Sequence, residues 1–234
     1  MEKIIDIVID FETLSLQPNA ALLQLAAVPF NRTAPGHAEM FKIPGISVFN
    51  EYIDLASCAV ENLDFNRDTL EWWAQKDDAL KNNIFLNPNR HHICEVMAKF
   101  ASWLEYVKST TNAEIILWAQ GSDMDIAILR FQATRHIRDF QQLVPYWHFR
   151  DARTFIIETK AFLDVPQPQD ALTDHRLVYT LLPQFDIDKE GVPEELHDLG
   201  SEAVHNALFD AARTAWHLYT VFLILSDCRH ARQK

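Results

Sequence analysis

Residues 4–12 read IIDIVIDFE, a run of β-branched side chains that ends in two carboxylates. Ile and Val at this density are typical of a central strand that is covered on both faces. Because side chains alternate along a strand, Asp10 and Glu12 point to the same side. Adjacent carboxylates raise each other's pKa unless a cation or a proton lies between them. The strand end is therefore a candidate site for Mg²⁺ or Mn²⁺; the alternative is an ordinary polar junction between strand and loop.

The composition is that of an ordered globular protein. Of the 234 residues, 48% are hydrophobic and five are Gly, so the chain can bury a substantial core. The formal net charge of −12 argues against a protein that coats nucleic acid with a general basic surface. It does not argue against an enzyme that holds a few nucleotides through metal ions and a local patch.

The cysteine usage indicates a reducing compartment. Cys58, Cys94 and Cys228 are far apart and have no paired spacing, which is typical of free thiols. The sequence has no signal-peptide pattern and no apolar stretch long enough to cross a bilayer. We therefore expect a cytoplasmic protein without a membrane partner.

The hydrophobic pattern predicts a mixed sheet flanked by helices. Strands at 24–30 and 46–54 follow the first strand through connections too short for helical crossovers, so we expect an antiparallel meander. Pro29 suggests an edge or a bulge in the second strand. Helices and strands then alternate. The later predicted strands are 114–119 and 147–149. The predicted helices are 68–73, approximately, 92–108, 123–135 and 151–162, and a last helix from near residue 201 or 206 to about 226.

The chain shows neither an internal repeat nor an interdomain linker, so we expect one domain over residues 1–234. Residues 164–199 contain four prolines and predict a long, loop-like insertion, in which 171–182 is a candidate short helix. A loop of this length inside a compact domain usually serves a function.

Two further acidic motifs are placed where a sheet can bring them to the first strand. Asp125 follows a strong strand and a glycine turn, at the start of a helix. His205 and Asp210 form a His-x4-Asp pattern before the last helix. Five helical residues turn the chain through about 500°, which leaves these two side chains roughly 140° apart in a regular helix. They face one site more easily if His205 lies on the entering loop or first turn.

Taken in order, these motifs resemble the DEDD superfamily of 3′–5′ exonucleases, in the branch whose third motif carries His-x4-Asp (DEDDh). The match rests on IDFET at 9–13, GSDMD at 121–125 and HNALFDA at 205–211. Two further stretches, TLEWW at 69–73 and RDART at 150–154, resemble a phage and bacterial exoribonuclease subgroup. The resemblance implies an α/β fold with an RNase H-like (DnaQ-like) mixed sheet flanked by helices.

The resemblance also implies a cofactor of two divalent metal ions, Mg²⁺ or Mn²⁺. Such ions, about 3.5–4 Å apart, stabilise the attacking and the leaving oxygen of an in-line phosphoryl displacement. By resemblance, Asp10 would bridge both ions, and Glu12 and Asp210 would complete the ion that holds the attacking water. Asp125 would support the second ion. Asp123 is the alternative acid of that motif, although the spacing favours Asp125.

The remaining roles implied by the resemblance fall on His205, Thr13 and Leu14. His205 would take the proton from the attacking water as general base, since an imidazole with a pKa of about 6.5 is largely neutral near pH 7–8. Thr13 and Leu14, just after the first motif, would hold the terminal nucleotide. Hydrolysis would release nucleoside 5′-monophosphates from the 3′ end of single-stranded RNA or DNA.

The subgroup resemblance favours RNA, but a single-stranded DNA exonuclease of the repair or proofreading type would use the same five residues. No position identifies a group that senses the 2′-OH. Two other classes stay open: a non-catalytic nucleic-acid-binding module and an unrelated metal hydrolase such as a phosphatase. A homodimer is an expectation from the resemblance alone.

Two pairs of side chains in the subgroup stretches have competing interpretations. Trp72 and Trp73 could stack on bases, but neighbouring helix positions face about 100° apart, so at most one can face a substrate. We expect both to serve packing. Arg150 and Arg153 could contact phosphate, but we expect a structural role in ion pairs.

Overall fold

A computed structural model describes residues 3–163, 185–186, 191–197, 199 and 204–231. Most of the predicted insertion at 164–199, including the candidate helix at 171–182, lies outside these residues. Within the insertion, Glu194–His197 is a short helix rather than loop.

The strands of the described residues form one six-stranded sheet in the order β4-β3-β2-β1-β5-β6. β1, β2 and β3 pair antiparallel, which confirms the predicted meander. β5 runs parallel to β1, β6 parallel to β5, and β4 parallel to β3, so the sheet is mixed as predicted. The strands are β1 Ile4–Thr13, β2 Leu22–Phe30, β3 Phe49–Ile53, β4 Arg90–His91, β5 Glu114–Ala119 and β6 Phe149–Asp151.

Helices cover both faces of this sheet. They are α1 His37–Met40, α2 Leu55–Val60, α3 Arg67–Ala74, α4 Asp78–Phe85, α5 Ile93–Thr111, α6 Ala127–His136, α7 Phe140–Leu143, α8 Ala152–Phe162, α9 Glu194–His197 and α10 Ala207–Ala231. A π-helical turn, Ser122–Ile126, precedes α6, and a 3-10 turn, Tyr146–His148, precedes β6.

The core lies in two layers on either side of β1, which is the central strand that its sequence predicts. Ile7 and Ile9 point into the layer that contains α5, whose predicted apolar stripe is buried there. Val8 points into the opposite layer, beneath α10. Since side chains alternate along a strand, Asp10 and Glu12 share the face of Val8 and are directed toward α10.

Several predicted elements differ from the observed ones. The strand at 147–149 is wrong, because Pro145 starts a 3-10 turn and the strand begins only at Phe149. β2 is an inner strand without a bulge at Pro29. Its pairing with β3 ends at Ala27, so Pro29 pairs with Ile7 of β1 on one side only. The short elements α2, α4 and β4 were not predicted, and α10 continues past residue 226 to Ala231.

Within the described ranges, none of the helices combines the length and the apolar character that a membrane crossing requires.

Candidate active site

Three carboxylates meet where the end of β1 faces the first turn of α10. Asp10, Glu12 and Asp210 each offer one oxygen, and these oxygens all lie within 4.8 Å of one another. Glu12 is 7% exposed, whereas Asp10 keeps partial access to solvent. A set of carboxylate oxygens around a common point suits a hard divalent cation such as Mg²⁺ or Mn²⁺. The donor set therefore fits the cofactor that the resemblance implies.

A fourth carboxylate reaches this cluster from the π-helical turn after β5. The backbone N–H of Phe11, between the two acids of β1, donates a hydrogen bond of 3.3 Å to Asp125 Oδ1. Asp125 is buried, whereas Asp123 is exposed, so the structure brings the expected acid of this motif to the site. The local π geometry turns Asp125 inward, and such turns are frequent at functional sites.

Burial and mutual repulsion act together on these acids. The pKa of Asp10 is raised well above its usual value by burial first, and then by the charges of Asp125, Asp210 and Glu12. Burial likewise raises the pKa of Glu12 well above its usual value and that of Asp125 to about 7. Without a cation, the cluster therefore retains protons near neutral pH.

Asp210 is held by two partners on α10 and its entering loop. Arg213 Nη2 lies 2.5 Å from Asp210 Oδ1, and the backbone N–H of His205 donates to Asp210 Oδ2 at 3.0 Å. Burial raises the pKa of Asp210, and the nearby guanidinium of Arg213 opposes that rise. The two contacts fix the orientation of the Asp210 carboxylate within the cluster.

His205 lies just before α10, on the entering loop, the position from which its ring can face one site with Asp210 more easily. Its backbone φ is 71°, a left-handed conformation that turns the chain sharply at this point. Burial lowers the pKa of the His205 imidazole to about 4, and the charges of Lys76 and Arg213 add to this effect. The imidazole is therefore neutral around pH 7, the form in which it accepts a proton.

A buried amide network, absent from the sequence-based predictions, fastens the start of α10 to the sheet. Gln24 Oε1 accepts from the N–H of Ala207 at 3.0 Å, and Gln24 Nε2 donates to Asn206 Oδ1 at 3.3 Å and to Asn50 Oδ1 at 2.7 Å. Asn206 Oδ1 also accepts from the N–H of Leu208 and so caps the helix. The signal in the sequence was a single Gln within the otherwise apolar β2.

The two tryptophans of α3 have different surroundings. Trp73 is 2% exposed, and its Nε1–H donates to the carbonyl of Thr13 at 2.9 Å, so its predicted packing role is confirmed. Trp72 is 39% exposed, and its ring meets the His205 ring nearly perpendicularly, with 4.7 Å between centroids. Trp72 therefore packs on Trp73 and His205 but keeps an exposed part beside the carboxylates, and stacking on a base stays a prediction.

Thr13 and Leu14 directly follow Glu12 in the chain, and their side chains are buried, that of Leu14 in the core layer that contains α5. Thr13 Oγ1 donates to the carbonyl of Ser15 at 2.8 Å, and the N–H of Leu14 donates to the carbonyl of Ala21 at 2.8 Å. The structure thus places both residues next to the carboxylates of β1. Their contact with a nucleotide stays a prediction.

The two arginines of the RDART stretch bind carbonyl groups rather than the expected carboxylates. Arg153 Nη2 donates to the carbonyl of Gln120 at 2.7 Å, and its charge opposes the raised pKa of Asp125. Arg150 Nη1 donates to the carbonyl of Phe149 at 2.9 Å. Asp151 instead caps α8 and accepts from the N–H of Ser122 at 2.6 Å. The structural role that we expected holds, with different partners.

Comparisons with known proteins agree with this geometry. A family model described as the 3′–5′ exoribonuclease Rv2179c-like domain matches residues 5–222. The exodeoxyribonuclease of Enterobacteria phage T4 is 26% identical over 166 residues, which cover 64% of this chain and 70% of the phage protein.

Solved structures share the fold at low sequence identity. The nuclease domain of 3′hExo, a DEDDh family member bound to rAMP, has a TM-score of 0.55 and 15% identity and covers 96% of this chain and 93% of its own. E. coli ExoI, in a zinc-bound complex with single-stranded DNA, has a TM-score of 0.56 and 11% identity and covers 97% of this chain but 41% of its own. These neighbours confirm the predicted RNase H-like fold. Since the family model spans nearly the whole chain, the protein belongs to the Rv2179c-like 3′–5′ exoribonuclease domain family and is a 3′–5′ exonuclease.

Proposed function

We propose that the protein hydrolyses single-stranded RNA, or 3′ overhangs, from the 3′ end with two divalent metal ions and releases nucleoside 5′-monophosphates. One observation carries this proposal: four carboxylates from β1, the π-helical turn and α10 converge beside a neutral histidine. Four acids in a buried cluster can be ionised together only beside cations. A cluster of this kind has a clear use in phosphoryl transfer.

The ligand roles are those that the family resemblance implies. Asp10 would bridge two Mg²⁺ or Mn²⁺ ions, Glu12 and Asp210 would complete one of them, and Asp125 would support the other. When bound, the ions supply charge stabilisation to the attacking and leaving oxygens. Arg213 and the N–H of His205 hold Asp210 in place before any ion arrives, which limits the reorganisation that binding requires.

His205 would remove the proton from the attacking water at one of its ring nitrogens. Its lowered pKa leaves the ring unprotonated throughout the neutral range, and the same shift makes the imidazole a weaker base. The left-handed backbone of His205 lies before the regular helix, and the ring would face the same site as Asp210. The exposed Trp72 beside it would offer a stacking surface for a base, and Thr13 and Leu14 would form the floor under the terminal nucleotide.

We favour RNA over DNA because the family that matches nearly the whole chain is described as exoribonuclease. The phage relative, an exodeoxyribonuclease, makes DNA the second candidate. A cytoplasmic location is also proposed and is supported by the free thiols of Cys58, Cys94 and Cys228. The single domain and the homodimer stay predictions from the sequence.

The test uses 5′-labelled single-stranded RNA and DNA of one sequence, each incubated with Mg²⁺, Mn²⁺ or EDTA and resolved on a sequencing gel. We expect a metal-dependent ladder that shortens from the 3′ end, with RNA degraded faster than DNA. Asp10→Asn protein prepared in the same way is the control for contaminating nucleases. Metal-independent binding without any product would instead support a binding module, and activity on small phosphomonoesters alone would support a phosphatase.

A further inference from the structure

Lys76 lies at the wall of the active site, just after the end of α3. Its side chain folds back over the helix, so that Nζ lies 3.6 Å from the centroid of the Trp72 ring. The same ring meets His205 at 4.7 Å between centroids. One aromatic ring therefore separates the ammonium group of Lys76 from the imidazole.

The charge of Lys76 reaches the site. It opposes the raised pKa of Glu12 and contributes to the lowered pKa of His205. The ring contacts from Lys76 to Trp72 and from Trp72 to His205 place this charge at the edge of the site. Lys76 is half-buried, which reduces the screening of its charge by water.

The acids next to Lys76 in sequence are all bound elsewhere. Glu71 pairs with Arg67 at 2.8 Å, Asp77 caps α4, and Asp78 pairs with Lys81 at 2.7 Å. Within the ranges that the structure describes, the ammonium group of Lys76 forms no ion pair and donates no hydrogen bond. Its charge therefore remains available to a ligand.

The other cations near the carboxylates are already engaged. Arg213 is paired with Asp210, and Arg153 donates to the carbonyl of Gln120. A nucleic acid brings a negative phosphate into a site that already contains four acids, in a chain with a net charge of −12. An available ammonium group at the rim counters that repulsion.

We propose that Lys76 binds a non-bridging oxygen of the scissile phosphate, from the side of His205. This inference rests on the proposed function, since it assigns the phosphate to the same site. An ammonium group suits the task, because it acts as a point charge with three donors and needs no fixed geometry. Contact with Trp72 holds the flexible side chain near the site before substrate arrives.

The test compares Lys76→Met with Lys76→Arg and with Lys81→Met. Methionine keeps an apolar stem on Trp72 but removes the charge, arginine keeps the charge, and Lys81→Met removes a matched charge from the adjacent helix. The substrates are a labelled oligonucleotide and the p-nitrophenyl ester of thymidine 5′-monophosphate, which contains a single phosphodiester. We expect Lys76→Met to lower kcat about 10²-fold with both substrates, as loss of an oxyanion donor does. Lys76→Arg restores most of that loss, and Lys81→Met matches the parent protein.

A binding measurement separates this inference from the proposed function. In calorimetry with Mn²⁺, Lys76→Met should bind 5′-AMP about 10-fold more weakly than the parent, an effect of the size expected for one phosphate contact, and adenosine equally well. This comparison holds even if the parent protein proves unable to cleave. The proposal is overturned if Lys76→Met keeps the parent's 5′-AMP affinity, or if its loss of kcat appears with the oligonucleotide alone, since Lys76 would then contact a different phosphate. An unchanged melting temperature shows that each variant is folded.

Discussion

Asp125 shows at the residue scale how the site depends on a cation. Burial is the main cause that raises its pKa to about 7, well above the usual value of an aspartate. An acid whose pKa is higher in the folded than in the unfolded state favours folding while it is protonated. That contribution is complete below the unfolded-state pKa of about 3.9 and is lost as the pH rises through the folded-state value. In the metal-free protein, the contribution of Asp125 to the free energy of unfolding therefore decreases as the pH approaches 7.

We expect the melting temperature of the parent protein in EDTA to fall between pH 6 and pH 8 relative to that of Asp125→Asn, which cannot ionise at this position. Mn²⁺ should raise the melting temperature of the parent most at pH 8, where the carboxylates are most ionised. Scanning fluorimetry across this range measures both effects. The pKa of His205 is lowered in the folded protein, so below pH 6.5 His205 changes the stability in the direction opposite to Asp125. The difference in melting temperature between the parent and Asp125→Asn is therefore the decisive quantity. Identical pH profiles for the two proteins would contradict the raised pKa.

The second residue-scale prediction concerns His205. Asparagine tolerates the left-handed backbone that this position requires, so His205→Asn removes the imidazole with little strain. We expect kcat to fall by about 10²–10⁴-fold, the usual size of a general-base contribution. The rise in melting temperature with Mn²⁺ should persist, since the four acids remain. Asp10→Asn should instead abolish turnover and reduce that rise. Parent-like turnover by His205→Asn would refute the assignment of the base.

At the element scale, the start of α10 depends on Gln24 in β2. Gln24→Leu removes its three hydrogen bonds, to Ala207, Asn206 and Asn50, while nearly preserving volume. We expect activity or Mn²⁺ affinity to fall about 10–100-fold, as for other residues that orient ligands. Gln132→Leu is the matched control, because the buried side-chain amide of Gln132 has no hydrogen-bond partner among the described residues. Equal activities of the two variants in steady-state assays would show that the network is only structural.

The elements also show what the sequence could reveal. β1 and α5 were predicted because their apolar periodicity continues over a long stretch. The acids were found because each motif follows a strand or precedes a helix. The amide network was missed and the contact between Trp72 and His205 was not predicted, since each depends on residues far apart in the chain. Local pattern cannot pair Gln24 with Asn206, or Trp72 with His205, before the packing of α3 and α10 on the sheet is known.

On the scale of the whole molecule, a buried ion pair near the start of β1 links β1, β2 and β5. Asp6 in β1 is fully buried and binds the guanidinium of Arg32, just after β2, through two oxygens; the Nε–Oδ2 distance is 2.6 Å. Trp118 in β5 donates to the same carboxylate at 2.7 Å. The ion pair therefore depends on the register of β1 with both of its neighbours.

We expect Arg32→Met to destabilise the fold by about 3–5 kcal/mol, because it leaves the charge of Asp6 buried without its partner. Urea unfolding followed by tryptophan fluorescence measures the change. Arg67→Met is the control: it removes the same type of side chain from an exposed pair with Glu71 and should leave stability close to that of the parent. Similar unfolding midpoints for the two variants would mean that the buried pair contributes little.

The position of α10 has a consequence for how the enzyme comes into being on the ribosome. Asp10 and Glu12 are synthesised well before His205 and Asp210. Until α10 docks, the face of the sheet around Val8 lacks part of its cover and the carboxylate cluster lacks Asp210. A nascent chain without α10 therefore cannot assemble the cluster. Synthesis and docking of α10 set the time at which the site forms.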